Sequence, residues 1–513
     1  MAWRPQAIAG VVALSLVLAG CEVGPNYARP GMASPNQFRF QAGAENASIA
    51  DLPWWTIYDD PVLQDLIKTA LENNYDLRIA VSRIEQAQAI AAQARSQYFP
   101  TVGYQGNVSR GKNEFLGSFN PDSGATNSAA LIGIDAAWEV DLWGRIRRLN
   151  EAALAQLLST VEAERGVVLS LVSAVARAYF ELLALDEFRK IAIDTTQSYT
   201  ETLRIFDLRL TGGTASKLET SRAEALRSSA AAVVPETELQ IGQKENEINV
   251  LCGRDPGPVA RGSTLYVQRT PPEVPAGLPS QLLERRPDLL VAEAQIKAAN
   301  ANVGVATANF FPTLTLSGLL GRVSPELSAF SGGGANAWSI AAGLTGPIFE
   351  GGRLTAQLQQ AKAVWEETKL QYERTALNAL REVSDALIAH EKLVGVFDDQ
   401  RDAVKSYRTA VDVAQLRYIN GKSSYYEVLE VQQSLFPAEL SLAQTRLNQL
   451  VAIVDLYKSL GGGWNLVDAA AMPEPMTSPT SPTSPEGATG APGQPDASQA
   501  APTPVPPWQR SLE

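Results

Sequence analysis

Four segments of the chain alternate apolar and polar residues with a period of two. In each segment the even-numbered positions are apolar, and most odd-numbered positions are polar or small. The main apolar positions are Val102, Tyr104, Val108, Ile132, Ile134, Trp138, Val140, Leu314, Leu316, Leu320, Trp338, Ile340 and Leu344. One apolar and one polar face over this length is typical of strands that cross an outer membrane, with lipid outside and water inside. For any single pair of segments, a soluble hairpin with one buried face is the alternative.

Elsewhere the apolar period changes to the three- and four-residue steps of long helices. From Asn150 to Leu210 there is no proline, and apolar or small positions recur over four heptads, interrupted by Arg165. The spacing predicts a coiled-coil seam, and about 60 residues at ~1.5 Å each predict a helix of ~90 Å. Residues 354–418 repeat the pattern, and shorter helices are predicted over 215–251 and 424–460. Helices of this length suit a tunnel or a stalk better than a compact globule.

The two halves of the chain are copies of one another. Tyr98-Phe99-Pro100-Thr101 returns as Phe310-Phe311-Pro312-Thr313, 212 positions later, and Gly144-Arg145 returns as Gly352-Arg353, 208 positions later. This repetition indicates an internal duplication. Pro100 and Pro312 lack an N–H and disfavour helix in the residue before them. With the aromatic rings of Phe99 and Phe311, they are predicted to mark the junction where a helix ends and a membrane strand begins.

Four strands are too few to close into a barrel. An open sheet edge would leave backbone N–H and C=O groups without partners in lipid. Several copies of the chain must therefore share one barrel. Two, three or four copies would give 8, 12 or 16 strands, and the residues alone do not choose between these numbers.

The N-terminus has the composition of a targeting segment. Arg4 and an apolar run from Ala7 to Ala19 precede Leu18-Ala19-Gly20-Cys21, which resembles a bacterial lipoprotein box. Cys21 is therefore predicted to carry an N-terminal diacylglycerol and a palmitoyl lipid. The alternative is a plain secretion signal with an incidental cysteine. Glu22 permits delivery to the outer membrane, because aspartate at this position is the residue that favours inner-membrane retention in such lipoproteins.

These features divide the chain into six predicted parts. They are a lipoprotein signal peptide (1–20), a lipid-anchored N-terminal segment (21–61), a first structural repeat (62–252), an equatorial linker region (253–285), a second structural repeat (286–464) and a disordered tail rich in proline, serine and threonine (465–513). Cys252 has no second cysteine to pair with once Cys21 is lipidated, and it is predicted to be a small buried residue.

Composition and motifs argue against an enzyme and against a nucleic-acid partner. The chain has 43 basic and 55 acidic side chains, a net charge of −12. Its one histidine, His390, lies in a helical pattern, and no metal-spaced cluster is present. Gly421-Lys422-Ser423 resembles the end of a phosphate-binding loop, but Leu416 stands where that motif needs glycine and a helix precedes it. No metal and no cofactor besides the lipid on Cys21 is expected.

Eight stretches resemble the outer membrane efflux factor family, the TolC/OprM-like channels, in its lipoprotein (NodT-type) branch. They are CEVGPNYARP (21–30), PWWTIYDDPVLQDLIKTALENNYDL (53–77), YFPTVGY (98–104), WEVDLWGRIRR (138–148), LLERRPDLLVAEAQIKAANANVGVA (282–306), FFPTLTL (310–316), PIFEGGRL (347–354) and LYKSLGGGW (456–464). The resemblance implies an α+β membrane protein, a homotrimer whose 12-stranded barrel in the outer membrane stands on a periplasmic α-helical coiled-coil barrel.

The resemblance also implies a function and partners. The channel would be a passive duct that exports small molecules from the periplasm across the outer membrane. Its partners would be a periplasmic membrane-fusion adaptor and an inner-membrane transporter, of the proton-driven RND type. A single-chain porin needs many strands and few long helices, which is the opposite of this pattern. A channel for type I protein secretion and a non-channel periplasmic scaffold are the alternatives.

The family places its gate at the two helical turns farthest from the membrane. The implied gate residues are Tyr418, Tyr426, Glu427, Glu430 and Glu219. Tyr418 corresponds to a tyrosine that ties neighbouring helices together, and the glutamates correspond to carboxylates that ring the constriction and attract cations. Ser423 stands where some relatives have arginine, so a salt bridge that locks their closed state is expected to be absent. Ordinary solvated charges at helix ends are the alternative for these glutamates.

Overall fold

The computed structural model of the chain describes residues 22–32, 35–41, 60–112, 126–269, 276–277, 279–324 and 335–462. The chain divides into two units, Met1–Val467 and Asp468–Glu513, and the second lies wholly outside the described residues. The signal peptide and Cys21 also lie outside them, as do the hairpin loops at 113–125 and 325–334. Predictions made for these parts remain predictions.

The described residues form eight helices and four strands, in an order that repeats. The first half contains α1 (Pro61–Asn73), α2 (Tyr75–Ser96), β1 (Thr101–Lys112), β2 (Thr126–Val140), α3 (Arg145–Thr211) and α4 (Lys217–Leu251). The second half contains α5 (Pro279–Arg285), α6 (Pro287–Ala308), β3 (Thr313–Ser324), β4 (Ala335–Thr345), α7 (Arg353–Ile419) and α8 (Tyr425–Ser459). The long helices are therefore present where the apolar periodicity predicts them.

The duplication is regular to the residue. The long helices α3 and α7 have 67 residues each and begin 208 positions apart, and so do α4 and α8, with 35 residues each. At ~1.5 Å per residue, each long helix extends for about 100 Å. The helices before the hairpins, α2 and α6, have 22 residues each and begin 212 positions apart. The second copy is thus four residues shorter, and the difference falls within its hairpin.

Helix α3 begins earlier than the periodic pattern from Asn150 indicates. The carboxylate of Asp141, the residue after β2, accepts hydrogen bonds from the N–H groups of Ile146 and Arg147 at 3.1 and 3.0 Å. These bonds satisfy donors that the first turn of a helix leaves without partners. The helix can therefore begin at Arg145, immediately after Gly144 turns the chain at a φ of +77°.

The coiled-coil seam predicted for α3 is buried in only part of its length. Val172, Val175 and Tyr179 are fully buried, whereas Leu154 and Leu158 are 48% and 41% exposed in the single chain. By length and composition, α3 is the one helix among the described residues that could cross a membrane, but 67% of its most apolar window is buried inside the fold. It is therefore a core helix, with an apolar surface near its start that remains uncovered.

The four strands form one antiparallel sheet in the order β1-β2-β3-β4. Even-numbered residues lie opposite even-numbered residues throughout, as in the rows Val102–Ala136–Gly318–Ile340 and Tyr104–Ile134–Leu320–Trp338. All apolar even positions therefore share one face, as the alternation predicts. Tyr104, Trp338 and Ile340 on this face are 92%, 73% and 83% exposed, so the chain itself does not cover it.

Within the core of the helical body, α1 and the middle of α3 meet the segment 259–268. Asp60 is fully buried there and accepts hydrogen bonds from Tyr179, Gln268 and the N–H of Ser263, at 3.0, 2.6 and 3.2 Å. Burial opposes ionisation, but these donors hold the pKa of the Asp60 carboxyl below its usual value. A charged, fully bonded carboxylate thus ties the linker region to the first repeat.

Candidate functional site

Each long helix ends in a turn with the same backbone conformation. Residues 212–216 join α3 to α4, and residues 420–424 join α7 to α8. Gly213 and Gly421 have φ angles of +72° and +68°, where glycine has no steric penalty. The N–H of the following residue donates to the carbonyl of Arg209 in one turn and of Arg417 in the other, at 2.8 and 2.9 Å. We call these two turns, with the adjoining helix ends, the first tip and the second tip.

An aromatic cluster packs the two tips against each other. Phe206 of α3 is 1% exposed and meets the ring of Tyr425 edge-on, with 4.0 Å between the ring centroids. Tyr418 lies 5.2 Å from Tyr425 and 6.1 Å from Phe206. Val428 and Leu429 of α8 complete the apolar contact. Edge-on aromatic pairs of this kind stabilise beyond their buried area, so this cluster holds the two hairpins together.

Tyr418 also receives a charged partner from the first repeat. The guanidinium of Arg209 donates a hydrogen bond to the Tyr418 hydroxyl and lies over the same ring, 4.4 Å from its centroid. Burial raises the pKa of Tyr418, and the charge of Arg209 opposes this shift. Tyr418 thus links α7 to α3, a role of the kind that the family resemblance implies for it.

The two glutamates at equivalent positions of the tips make different contacts. In the first tip, Glu219 forms a capping box: its carboxylate accepts from the N–H of Ser216 at 2.8 Å, and its own N–H donates to the Ser216 hydroxyl at 3.3 Å. In the second tip, Glu427 forms an ion pair with Arg417 at 3.5 Å, and about half of each side chain is exposed. The structure therefore places Glu219 in a capping role and leaves Glu427 facing solvent.

The other two implied gate residues are exposed on α8. Tyr426 is 60% exposed, and Arg222 of the first tip lies over its ring at 6.0 Å. Glu430 is exposed one helical turn later, and no ion pair to it is found among the described residues. Ser423 is half-buried, and its hydroxyl has no hydrogen-bond partner within the described ranges.

Reasoning from the sequence missed four of the residues that hold the tips together. They are Phe206, Arg209, Arg222 and Tyr425. The offset of 208 was a usable signal, because it aligns Glu219 with Glu427, Arg209 with Arg417 and Arg222 with Glu430. Such an alignment marks these positions as equivalent, although it cannot show that Arg209 contacts the opposite tip.

The two junctions between helix and strand have the same backbone hydrogen bond. The N–H of Phe99 donates to the carbonyl of Ser96, and that of Phe311 donates to Ala308, both at 3.0 Å. These bonds tighten the last turn, and Pro100 and Pro312 then prevent the helix from continuing. The threonine after each proline opens the strand with a side-chain bond across the hairpin, from Thr101 to Ala137 and from Thr313 to Thr345.

The aromatic residues at the junctions differ in their surroundings. Phe311 stacks on Trp143 with 4.7 Å between centroids, and the indole N–H of Trp143 donates to the carbonyl of Pro312 at 2.8 Å. Phe99, at the edge of the sheet, is 62% exposed. The inner junction is therefore packed within one chain, whereas the edge junction presents its ring outward.

The described residues contain no group of three or more His, Cys, Asp or Glu side chains placed to hold a metal ion. His390 is half-buried in α7, and burial lowers its pKa. Cys252 is fully buried, its thiol lies 3.5 Å from the carbonyl of Leu66, and burial raises its pKa. A thiol of this kind is inert, which agrees with the structural role predicted for it.

Comparison with known proteins identifies the family. The model of the "Outer membrane efflux protein" family matches residues 66–254 and 278–462. The chain is 35% identical to the "Probable efflux pump outer membrane protein TtgC" of Pseudomonas putida, over 90% of this chain and 96% of that protein. It is 31% identical to the "Cation efflux system protein CusC" of Escherichia coli, over 88% of this chain and 97% of that protein.

A solved structure agrees with these sequence matches. The open state of the MtrE outer membrane channel of Neisseria gonorrhoeae has a TM-score of 0.77 and 31% identity, and the match covers 86% of this chain and 99% of that one. The fold is thus that of an outer membrane channel, with long helices below a small sheet, and its place is the outer membrane with the helices reaching into the periplasm. The chain belongs to the outer membrane efflux protein family.

Proposed function

We propose that three copies of this chain form one closed channel, the passive outer membrane duct of a tripartite efflux pump. The observation that carries the proposal is the four-stranded sheet, which exposes an apolar face and has two open edges, β1 and β4. Such edges are not tolerated in lipid, and pairing β4 of one copy with β1 of the next removes all of them. The family resemblance favours three copies.

The internal repeat predicts the register of that pairing between copies. Within the chain, Thr101 pairs with Ala137 and Thr313 with Thr345, so β1 maps onto β3 by 212 positions and β2 onto β4 by 208. Gly133 of β2 pairs with Gly321 of β3. Applying the same offsets to this pair sets Ala341 of one copy opposite Ser109 of the next.

The helices support the same arrangement. Helix α6 packs against both α3 and α7, whereas its repeat equivalent α2 packs mainly against α3. The uncovered side of α2 is apolar, with Tyr75, Ile79 and Ile90 each about half or more exposed. If the repeat continues around a ring, this side of α2 meets α7 of a neighbouring copy, in the way that α6 meets α3 within the chain.

Cross-linking in native membranes tests the proposal. In the protein with Ala341→Cys and Ser109→Cys, oxidation should join copies into covalent trimers, because directly paired residues lie within the Cα distance that a disulfide requires. The matched control is Ala341→Cys with Gln105→Cys, whose second site is four residues, about 13 Å, along the strand. It should give little product.

Each result has a clear reading. If the largest cross-linked product contains three chains, the trimer is supported. A largest product of two or four chains would show that the ring contains that number of copies instead. Equal cross-linking in both pairs would show that the register is wrong. If neither pair cross-links while the protein remains in the membrane, β4 and β1 do not meet and the shared barrel is refuted.

The partners are a periplasmic membrane-fusion adaptor and an inner-membrane transporter of the proton-driven RND type. This choice of partners is supported by membership of a family whose relatives are named as outer membrane proteins of efflux pumps. Those names include toluene, solvent, antibiotic and cation efflux. Small molecules delivered by the pump are therefore the proposed cargo, and the energy comes from the pump, since the duct is passive.

The gate is proposed at the two tips. Glu427 and Glu430 would ring the constriction in the trimer, with Tyr426 beside them, while Tyr418 and Glu219 support the closed arrangement. The exposure of Tyr426, Glu427 and Glu430 and the bond of Arg209 to Tyr418 across the tips support this assignment. Opening would be an outward movement of the tips, biased by binding of the adaptor.

The anchor is proposed to be a diacylglycerol and a palmitoyl lipid on Cys21, in outer membrane lipid. Radioactive palmitate should label the protein in cells, and Cys21→Ser should abolish this labelling. Persistent labelling of the serine variant would show that Cys21 is not the acceptor.

A further inference from the structure

An extended segment of the N-terminus, residues 22–29, lies along helix α6. The N–H of Val23 donates to the carbonyl of Trp143 at 3.2 Å, and the amide of Asn300 donates to the carbonyl of Pro25 at 2.9 Å. Further along, the guanidinium of Arg29 donates to the carbonyl of Leu283 at 2.8 Å. We call residues 22–29 the strap. It starts beside the junction of β2 and α3 and follows α6 away from the sheet.

One buried arginine holds the membrane end of the strap. Arg148, in the first turn of α3, is 3% exposed. Its guanidinium lies 3.2 Å from the Glu22 carboxylate and donates to the Asn26 side chain at 2.6 Å, and it also pairs with Glu151 at 2.7 Å. A buried guanidinium needs such partners, because an unpaired buried charge is costly. Two of these three partners come from the strap.

The strap passes so close to the body that glycine is required at the contacts. A Cβ on Gly24, whose φ is +99°, would lie 2.6 Å from the Cα of Gly304 on α6. A Cβ on Gly304 would lie 2.8 Å from the Cγ of Arg148, and one on Gly144 would lie 2.9 Å from the Cγ of Glu22. These distances are shorter than side chains tolerate. The groove formed by α6 and the start of α3 therefore fits the backbone of the strap closely.

A second cluster holds the far end. Glu293 of α6 is 9% exposed, accepts from the Tyr27 hydroxyl at 3.1 Å and pairs with Arg29 at 2.9 Å. Lys297 pairs with Glu293 at 3.0 Å and lies over the Tyr27 ring. Burial opposes ionisation of Glu293, but Lys297 and Arg29 keep its pKa below the usual value. The strap is thus fixed at both ends by charged groups.

The internal duplication provides a comparison. The repeat equivalent of Arg148 is Ala356 on α7, and the equivalents of Glu293, Lys297, Asn300 and Gly304 are Val81, Glu85, Gln88 and Ala92 on α2. Gln88 keeps an amide donor, but the other four residues do not reproduce the charges or the missing Cβ that the strap contacts. The repeated backbone alone does not create the groove, so the groove is a feature of the one surface that meets the N-terminus.

We propose that Arg148 and α6 form a binding site for the N-terminal strap, which holds the lipid-bearing residue at the junction of helix and barrel. Cys21 is one peptide bond from Glu22, so seating the strap places its acyl chains at the height of Trp143 and Phe311. The anchor is then a fixed attachment rather than a loose tether. This consequence rests on the proposed lipidation of Cys21, whereas the site itself does not.

Spin labels on the full-length protein in outer membrane vesicles test the site at each end. The labels are placed at Val23→Cys, beside Arg148, and at Ala28→Cys, beside Glu293. Both should be immobilised in the otherwise native chain. Arg148→Gln should raise the mobile fraction at position 23 about tenfold, since it removes charge-assisted bonds to two strap residues. Position 28 should stay immobile, because the Glu293 cluster is intact.

Two further variants keep the test decisive. Arg145 lies in the same helical turn as Arg148 but contacts no strap residue. Arg145→Gln loses the pair with Glu139 of β2 and should leave both labels immobile. Glu22→Gln with Asn26→Ala alters only the strap and should mobilise position 23 as Arg148→Gln does. The site is refuted if position 23 is mobile in the native chain, or if it stays immobile in both the Arg148 and the strap variants.

Labelling with palmitate separates this result from the lipid proposal. If the otherwise native chain incorporates no palmitate while its labels at positions 23 and 28 are immobile, lipidation of Cys21 is refuted and the strap site is supported. A mobile strap with normal palmitate incorporation would refute the site and leave lipidation standing.

Discussion

The two tips have the same backbone and different polar contacts. Arg417 of the second tip pairs with Glu427 inside its own hairpin, whereas its equivalent Arg209 reaches across to Tyr418. Glu427 faces solvent beside its arginine, whereas its equivalent Glu219 caps its own helix. The first tip therefore binds the second tip through Arg209, and the second tip exposes carboxylates to solvent.

The difference shows how a duplicated backbone can take on two tasks. Gly213 and Gly421 fix the same turn, so substitutions around them do not disturb the shape. Arg222 and Glu430 occupy equivalent positions with opposite charges. In a ring of three copies, the two kinds of tip would alternate, and only one kind would contribute the exposed carboxylates that attract cations.

The largest effect is expected from removing the apolar link between the tips. Phe206→Ala deletes a buried aromatic side chain and should destabilise the tip contact by roughly 3–5 kcal/mol. Conductance of the purified channel in planar bilayers should rise. Leu208→Ala, on an exposed side chain of the same helix, is the control. Equal conductance in the two variants would show that the cluster does not hold the tips closed.

A smaller effect should separate the two equivalent arginines. Arg209→Gln removes a charged hydrogen bond to Tyr418, worth about 1.5–3 kcal/mol, and should increase open-channel events. Arg417→Gln removes a half-exposed ion pair, worth at most about 1 kcal/mol, and should change them little. Single-channel recordings of both variants test this order. The reverse order would mean that the second tip, not the contact between tips, keeps the channel closed.

The smallest effect on stability, and a distinct effect on selectivity, is expected from the glutamates. Glu427→Ala with Glu430→Ala should reduce the preference for cations, measured as reversal potential in a salt gradient. Glu219→Gln should leave the potential unchanged, because glutamine still completes a capping box. If the double variant has native conductance and cation preference, these carboxylates do not form the gate.

Much of the fold follows from local patterns in the sequence. Strand alternation sets the lipid-facing side, and proline after the aromatic residue sets each junction, because both depend on neighbours along the chain. The capping box of Ser216 and Glu219 was also readable, since it is a four-residue motif. The family resemblance implies a gate role for Glu219, whereas its observed contacts are those of a helix cap.

The remaining contacts depend on residues that are distant in sequence. Arg209 and Tyr418 are 209 positions apart, and Glu22 and Arg148 are 126 apart. No periodicity relates such pairs, so their partners become clear only when the helices are placed in space. Leu154 and Leu158 show a limit of a single chain's structure. Their spacing along the helix predicts burial, but a single chain leaves them exposed.

The duplication of the two halves within one chain has a genetic consequence. In a ring of six half-length chains, every substitution would appear at all six tips. A change that improves one tip would therefore also change the tips next to it. In the proposed ring of three full chains, each mutation appears three times and always at the same kind of tip. Joining two copies in one gene thus allowed selection to act on alternate positions of the ring independently.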